Sequence, residues 1–140
     1  MYSLKIKTYR IGQETPSSSF YVLCKGLNSG KPLQKPCPNC FVVTAATEEE
    51  KEQVYWLSYA IWKGKGYYPL MRGSVIPFIT LRDYRQQLEA AKRGTPADAQ
   101  FHKVVALLQQ LDKEEHGYNE KIKTIAQLRM VLFQKYIKMA

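Results

Sequence analysis

Apolar and polar positions alternate from the start of the chain. In residues 2–10, Tyr2, Leu4, Ile6 and Thr8 fall on one side and Ser3, Lys5 and Lys7 on the other. That period of two predicts a half-buried strand with a basic outer face. Residues 12–19 (GQETPSSS) lose the alternation and are rich in turn formers, so they read as a loop. The run FYVLC at 20–24 is apolar throughout, the pattern of an interior strand. Lys25 and Gly26 end it, and the three prolines and two glycines before residue 40 exclude a helix there. Phe41, Val42 and Val43 then supply a third strand.

From residue 47 the period changes. Thr47, Glu48, Glu49 and Glu50 form a capping box, in which the hydroxyl caps a free N–H and Glu50 reaches back, and three acids suit the positive end of a helix dipole. The body VYWLSYAIW (54–62) is apolar nearly all round, which predicts a helix buried over most of its circumference and stopped by Gly64 and Gly66. VIPFI (75–79) is apolar, but Pro77 removes a ladder donor, leaving an edge strand or an extended arm. Thr80 and Asp83 open a helix over 81–93, closed by Gly94, with Leu81, Tyr84, Leu88 and Ala91 on its apolar face. Thr95 and Pro96 open a third, whose face is Phe101, Val104, Val105, Leu108 and Leu111. Gly117 ends it. A fourth, over 119–138, carries Ile122, Ile125, Leu128, Leu132 and Tyr136, and a short turn at Gly117 predicts an antiparallel hairpin of the last two helices. Strands ahead of helices indicate an α+β fold: a small antiparallel sheet of three to four strands packed by a buried helix, followed by the helical hairpin. No repeat or linker divides the chain, so 1–140 reads as one domain, with sheet and buried helix in 1–79 and the helical part in 80–140.

Composition supports a folded chain. At 140 residues, 45% hydrophobic and 12% aromatic with ten tyrosines, it can build a core, and disorder as the main state is excluded. No apolar run approaches the length of about 18 residues that suggests a membrane span, and MYSLKIKTYR lacks the apolar core of a secretory leader. Three cysteines, an odd number, then suit reduced thiols in a cytoplasm.

Charge adds a functional direction. Lys and Arg number 21 against 12 acids, for a net charge of +9. Residues 1–45 hold Lys5, Lys7, Arg10, Lys25, Lys31 and Lys35 against Glu14 alone, so more than half the excess lies in the first third. Such a field attracts polyanions, nucleic acid foremost, although solubility by itself is a competing reading. Within that third, GLNSGKP (26–32) has the glycines and lysine of a phosphate cradle. It is not a P-loop: Gly26 and Gly30 stand one residue too close, Pro32 replaces the magnesium-binding hydroxyl, and no helix follows. Asn-Ser-Gly is also ordinary turn chemistry. Tyr55, Trp56, Tyr59 and Trp62 read as core, whereas Tyr67, Tyr68 and Arg72 fall in a loop and could stack on unpaired bases. The expected polyanion contacts are therefore Lys25, Asn28, Ser29, Gly30, Lys31, Lys35, Tyr67, Tyr68 and Arg72, joined by the basic strand; the C-terminal cations Lys121, Lys123, Arg129, Lys135 and Lys138 offer a separate basic face.

Other chemistry is thinner. Cys37 and Cys40 have the spacing of half a zinc knuckle and Cys24 could add a third thiolate, but the only histidines, His102 and His116, lie far along in helices. Zinc and three simply packed thiols both remain open. A thioredoxin-like role fits less well than zinc, because Phe41 leads into a strand and not a helix. No His–carboxylate or Ser–His pattern marks an enzyme. A non-enzymatic binding protein contacting nucleic acid is the first expectation; a protein-interaction or homo-oligomerisation module built on the helical hairpin is the second.

FYVLCKGLNSGKPLQKPCPNCFVV, followed by YWLSYAIW and GSVIPFI, resembles a family of small uncharacterised proteins from Bacteroidetes, a domain of unknown function. The resemblance covers about residues 2–82, and KGLNSGKP and GSVIPFI are its most specific words. It implies a protein encoded on conjugative or phage-like elements and a role for residues 26–31 beyond that of a turn. It implies no activity and transfers no catalytic residue.

Overall fold

The computed structural model describes residues 4–95 and 99–137. The elements run β1 (Lys5–Thr8), β2 (Ser19–Leu23), β3 (Pro32–Leu33), β4 (Cys40–Thr44), α1 (Glu48–Lys63), a 3-10 turn (Tyr68–Leu70), α2 (Leu81–Gly94) and α3 (Ala99–Tyr136). The strands form one antiparallel sheet in the order β1-β4-β2-β3, so β1 and β3 are opposite edges. By contact density the chain divides into two units, Met1–Val105 and Ala106–Ala140.

In the first unit the strand register sorts the side chains. Ile6, Val43 and Phe20 share a row, and Phe41 stands opposite Val22 in the same face. All five are buried with Val54 of α1, Tyr67, Ile79, and Tyr84 and Leu88 of α2. The alternate row, Lys7, Val42, Tyr21 and Leu33, points to the other face. Strand alternation follows the sequence pattern at Lys5, Ile6 and Lys7, with Ile6 buried and both lysines exposed, but Thr8, expected on the buried side, is exposed at the strand end, and Tyr2 and Ser3 lie outside the described residues.

The two helix starts are capped as expected. Thr47 Oγ1 accepts from Glu50 N at 3.1 Å, and the Glu50 carboxylate accepts from Ala46 N at 3.3 Å. Thr80 Oγ1 accepts from Asp83 N at 3.1 Å. Lys92 at the end of α2 reaches Glu50 at 2.7 Å, tying the two helices, and its hydrogen bond holds the Glu50 carboxyl below its ordinary range. Arg85 donates to the Ile6 carbonyl at 2.7 Å and fixes α2 to β1. Residues 71–79 form the extended arm and not a strand: Arg72 and Phe78 exchange backbone hydrogen bonds of 2.8 and 2.9 Å, and Pro77, without a donor, accepts from Gly26 N at 2.7 Å.

Two expectations need correction. Only Val54, Ser58 and Tyr59 of α1 are buried; Tyr55, Trp56, Leu57, Ile61 and Trp62 are half-buried, because the sheet and α2 cover one side of the helix only. The helical hairpin is also absent, since α3 passes through Gly117 as one helix of 38 residues. A glycine inside a helix costs about 1 kcal/mol against alanine, which long flanking helical segments absorb. A glycine that ends a helix commonly does so in the left-handed conformation, and Gly117 is not among the positive-φ glycines. The expected opening of this helix at Pro96 lies outside the described residues.

Candidate functional site

The loop after β2 is closed on itself. Gly30 N donates to the Leu23 carbonyl at 2.7 Å and Leu23 N to the Lys31 carbonyl at 3.0 Å, which completes the β2–β3 pairing. Ser29 donates twice to the Gly26 carbonyl, from N at 3.2 Å and from Oγ at 2.7 Å, and is fully buried. Gly26 and Gly30 adopt φ of 93° and 96°, a region that favours glycine. Gly30 can also lie against the Tyr67 ring only because it has no β-carbon.

These contacts correct three expected polyanion ligands. Ser29 and Gly30 are buried scaffolding whose polar groups point back into the loop, and Tyr67 is 1% exposed, beneath that loop. The Tyr67 hydroxyl meets Ser58 Oγ at 3.2 Å, and Ser58 Oγ meets the Tyr84 hydroxyl at 2.8 Å. Burial pushes both phenols well above the ordinary tyrosine range.

Above Tyr67 the same residues make a cleft of ≈ 340 Å³, lined among others by Leu27, Asn28, Trp62, Lys65, Tyr68 and Met71. Lys31 Nζ stands 5.4 Å from the centre of the Trp62 ring and Lys63 Nζ 5.2 Å from it. Lys65, the residue that turns the chain out of α1, has φ 60° and lines the cleft. None of the lining residues is acidic. Of the expected contacts, Asn28 and Tyr68 line this cleft with Ser29 and Tyr67 as its buried floor, and Lys31 joins them through Trp62.

The remaining cations do not converge there. Lys5 and Lys7 line a different cavity of ≈ 460 Å³, shared with Glu14, on the β1 edge of the sheet, whereas Lys31 adjoins β3 on the opposite edge. The single basic surface expected from residues 1–45 is thus split, because β4 and β2 lie between the two edge strands. Lys25 and Lys35 are exposed on the loop side. Arg72 pairs with Asp83 at 3.0 Å while its side chain stays 62% exposed, and it does not line the cleft.

All three cysteines are free thiols, and Cys24 and Cys37 are half-buried. Cys40 is buried; its thiol donates to the Cys37 carbonyl at 3.0 Å and accepts from Cys37 N at 3.5 Å. Burial pushes the Cys40 thiol up to about 11, and burial followed by the nearby Cys37 raises Cys24 as well. Among the described residues, no three His, Cys, Asp or Glu side chains are arranged to hold a metal ion, so the geometry lends the zinc expectation no support. No helix of the described residues is long and apolar enough to cross a membrane.

A family model matches residues 6–135. The chain belongs to DUF6943, a family of unknown function. No curated protein and no solved structure matches it. The DUF6943 match starts in β1 and ends one residue short of the end of α3, so it extends well beyond the residues 2–82 over which the sequence words resemble a family. Trp62 of this DUF6943 chain, which the sequence assigns to the core, is half-buried and lines the cleft with Lys63 and Lys65. Their signal is positional: a tryptophan and two lysines around Gly64, where a helix ends and its last turn opens to solvent.

Proposed function

We propose that the chain is a non-enzymatic protein that binds single-stranded nucleic acid at the Trp62 cleft. The observation that carries this reading is an indole flanked by two lysine ammonium groups at 5.4 and 5.2 Å, with Lys65 and Tyr68 beside it and no acid on the lining. Stacking platforms bordered by cations are what unpaired strands need, since every base has a π face and every linkage a charge.

Magnitudes favour the exchange. A base that stacks on Trp62 displaces an exposed lysine–ring contact of about 0.5–1 kcal/mol and gains stacking of about 1–3 kcal/mol. The displaced ammonium group then pairs with the adjoining phosphate. Reduced cysteines suit a cytoplasmic setting, and the sequence words suit a mobile element of Bacteroidetes.

Anisotropy of a short labelled single strand tests the reading. Three lysines at the cleft give a log–log salt slope of about −2, so affinity falls about fifteenfold between about 50 and 200 mM salt. No binding, or binding indifferent to salt, removes the reading.

A further inference from the structure

Residues 106–137, taken by themselves, are an exposed helix with a long apolar seam. Leu111, Tyr118, Ile122, Ile125, Leu132 and Tyr136 are each 49–70% exposed. Val104, Leu108, Leu111, Glu115, Tyr118, Ile122, Ile125, Arg129, Leu132 and Tyr136 follow one another at alternating steps of four and three. That is the 3.5-residue period of a coiled-coil seam, whose a and d positions bury themselves against another helix. Glu115 and Arg129 are its two charged interruptions.

Charge decides what covers the seam. Residues 106–120 contain Asp112, Glu114, Glu115 and Glu120 against Lys113; residues 121–137 contain Lys121, Lys123, Arg129 and Lys135 and no acid. Two copies side by side and parallel would stack Glu115 on Glu115 and Arg129 on Arg129, at like-charge cost in the buried layer. Turned antiparallel, the acidic half of each helix meets the basic half of the other. Ile122 then faces Ile125 of the second copy, Leu111 faces Tyr136, and Arg129 faces the Tyr118 ring with Glu115 one layer away. Beside the seam, Glu114 faces Lys135.

We propose that residues 106–137 pair antiparallel with the same residues of a second copy of this chain, centred between Ile122 and Ile125. Light scattering of the full chain without nucleic acid should give twice the 16.2 kDa of one chain. Ile122→Asp with Ile125→Asp should give one chain mass while the near-ultraviolet signal of Trp56 and Trp62 stays unchanged. Glu114→Lys should raise the dissociation constant several-fold, and adding Lys135→Glu should restore it. Zero-length cross-linking of a mixture of light and isotope-labelled chains should join Glu114 of one copy to Lys135 of the other. A wild-type mass of one chain overturns the proposal, as does a dimer that survives the two aspartates. A charge exchange that fails to restore association, or absence of the Glu114–Lys135 cross-link in the dimer, overturns the antiparallel arrangement.

Discussion

Gly30 lies on the ring of Tyr67 so closely that a β-carbon there would overlap the ring. The contact joins the lysine-bearing loop to the core, because Tyr67 is itself anchored through Ser58 to Tyr84. Gly30→Ala adds an overlap costing about 1–3 kcal/mol to a left-handed backbone penalty of about 1–2 kcal/mol. The expected loss of stability is about 2–5 kcal/mol, read as a lower urea midpoint by tryptophan fluorescence. An unchanged midpoint would mean that the loop is not seated on Tyr67.

Ser58 is fully buried on α1 and its hydroxyl serves two phenols. Ser58→Ala removes the group between them and leaves polar atoms short of a partner inside the core. The expected cost is about 1–3 kcal/mol. Ser58→Thr keeps the hydroxyl and should recover part of the loss, which separates the hydrogen bonds from packing.

Alkaline pH should destabilise the first unit. Cys40, Tyr67 and Tyr84 all hold their protons more tightly when folded than when unfolded. The folded state therefore binds more protons in that range, and stability falls as pH rises. The loss begins near the ordinary thiol value of 9.0, and for Cys40 it is complete by about 11. Each group contributes a slope of at most about 1.4 kcal/mol per pH unit. Urea midpoints should be level to pH 8 and fall beyond about pH 9; a midpoint still level at pH 10.5 would contradict the packing of all three.

Lys65 occupies φ 60°, where glycine is at ease and lysine is not. Lys65→Gly relieves about 1–2 kcal/mol of backbone strain and gives back about 0.5–1 kcal/mol as chain entropy. A small net gain in stability is expected together with weaker nucleic-acid binding. Equal binding by the variant would remove Lys65 from the cleft's function.

Much of this was legible in the residues. Alternation at Lys5, Ile6 and Lys7, the apolar runs of β2 and β4, and the hydroxyl caps at Thr47 and Thr80 are local signals, and local physics produced them. The sheet order is not local. Nothing in the sequence of β1 says that β4 will separate it from β2 and β3, and so the lysines of the first third read as one group when they occupy two edges. Tyr67 looks like a loop residue because its burial depends on Gly30, 37 positions earlier. Gly117 reads as a stop because glycine disfavours helix, but its penalty of about 1 kcal/mol is small beside the cooperative gain of an uninterrupted helix.

The emission of Trp62 tests the binding site most directly. The chain has two tryptophans, and Trp56→Phe leaves Trp62 as the only one. Titration of that variant with a short single strand should quench the emission through base stacking, and added salt should restore it along the same curve that releases the strand. Binding seen by anisotropy with no change at Trp62 would contradict the cleft as the site.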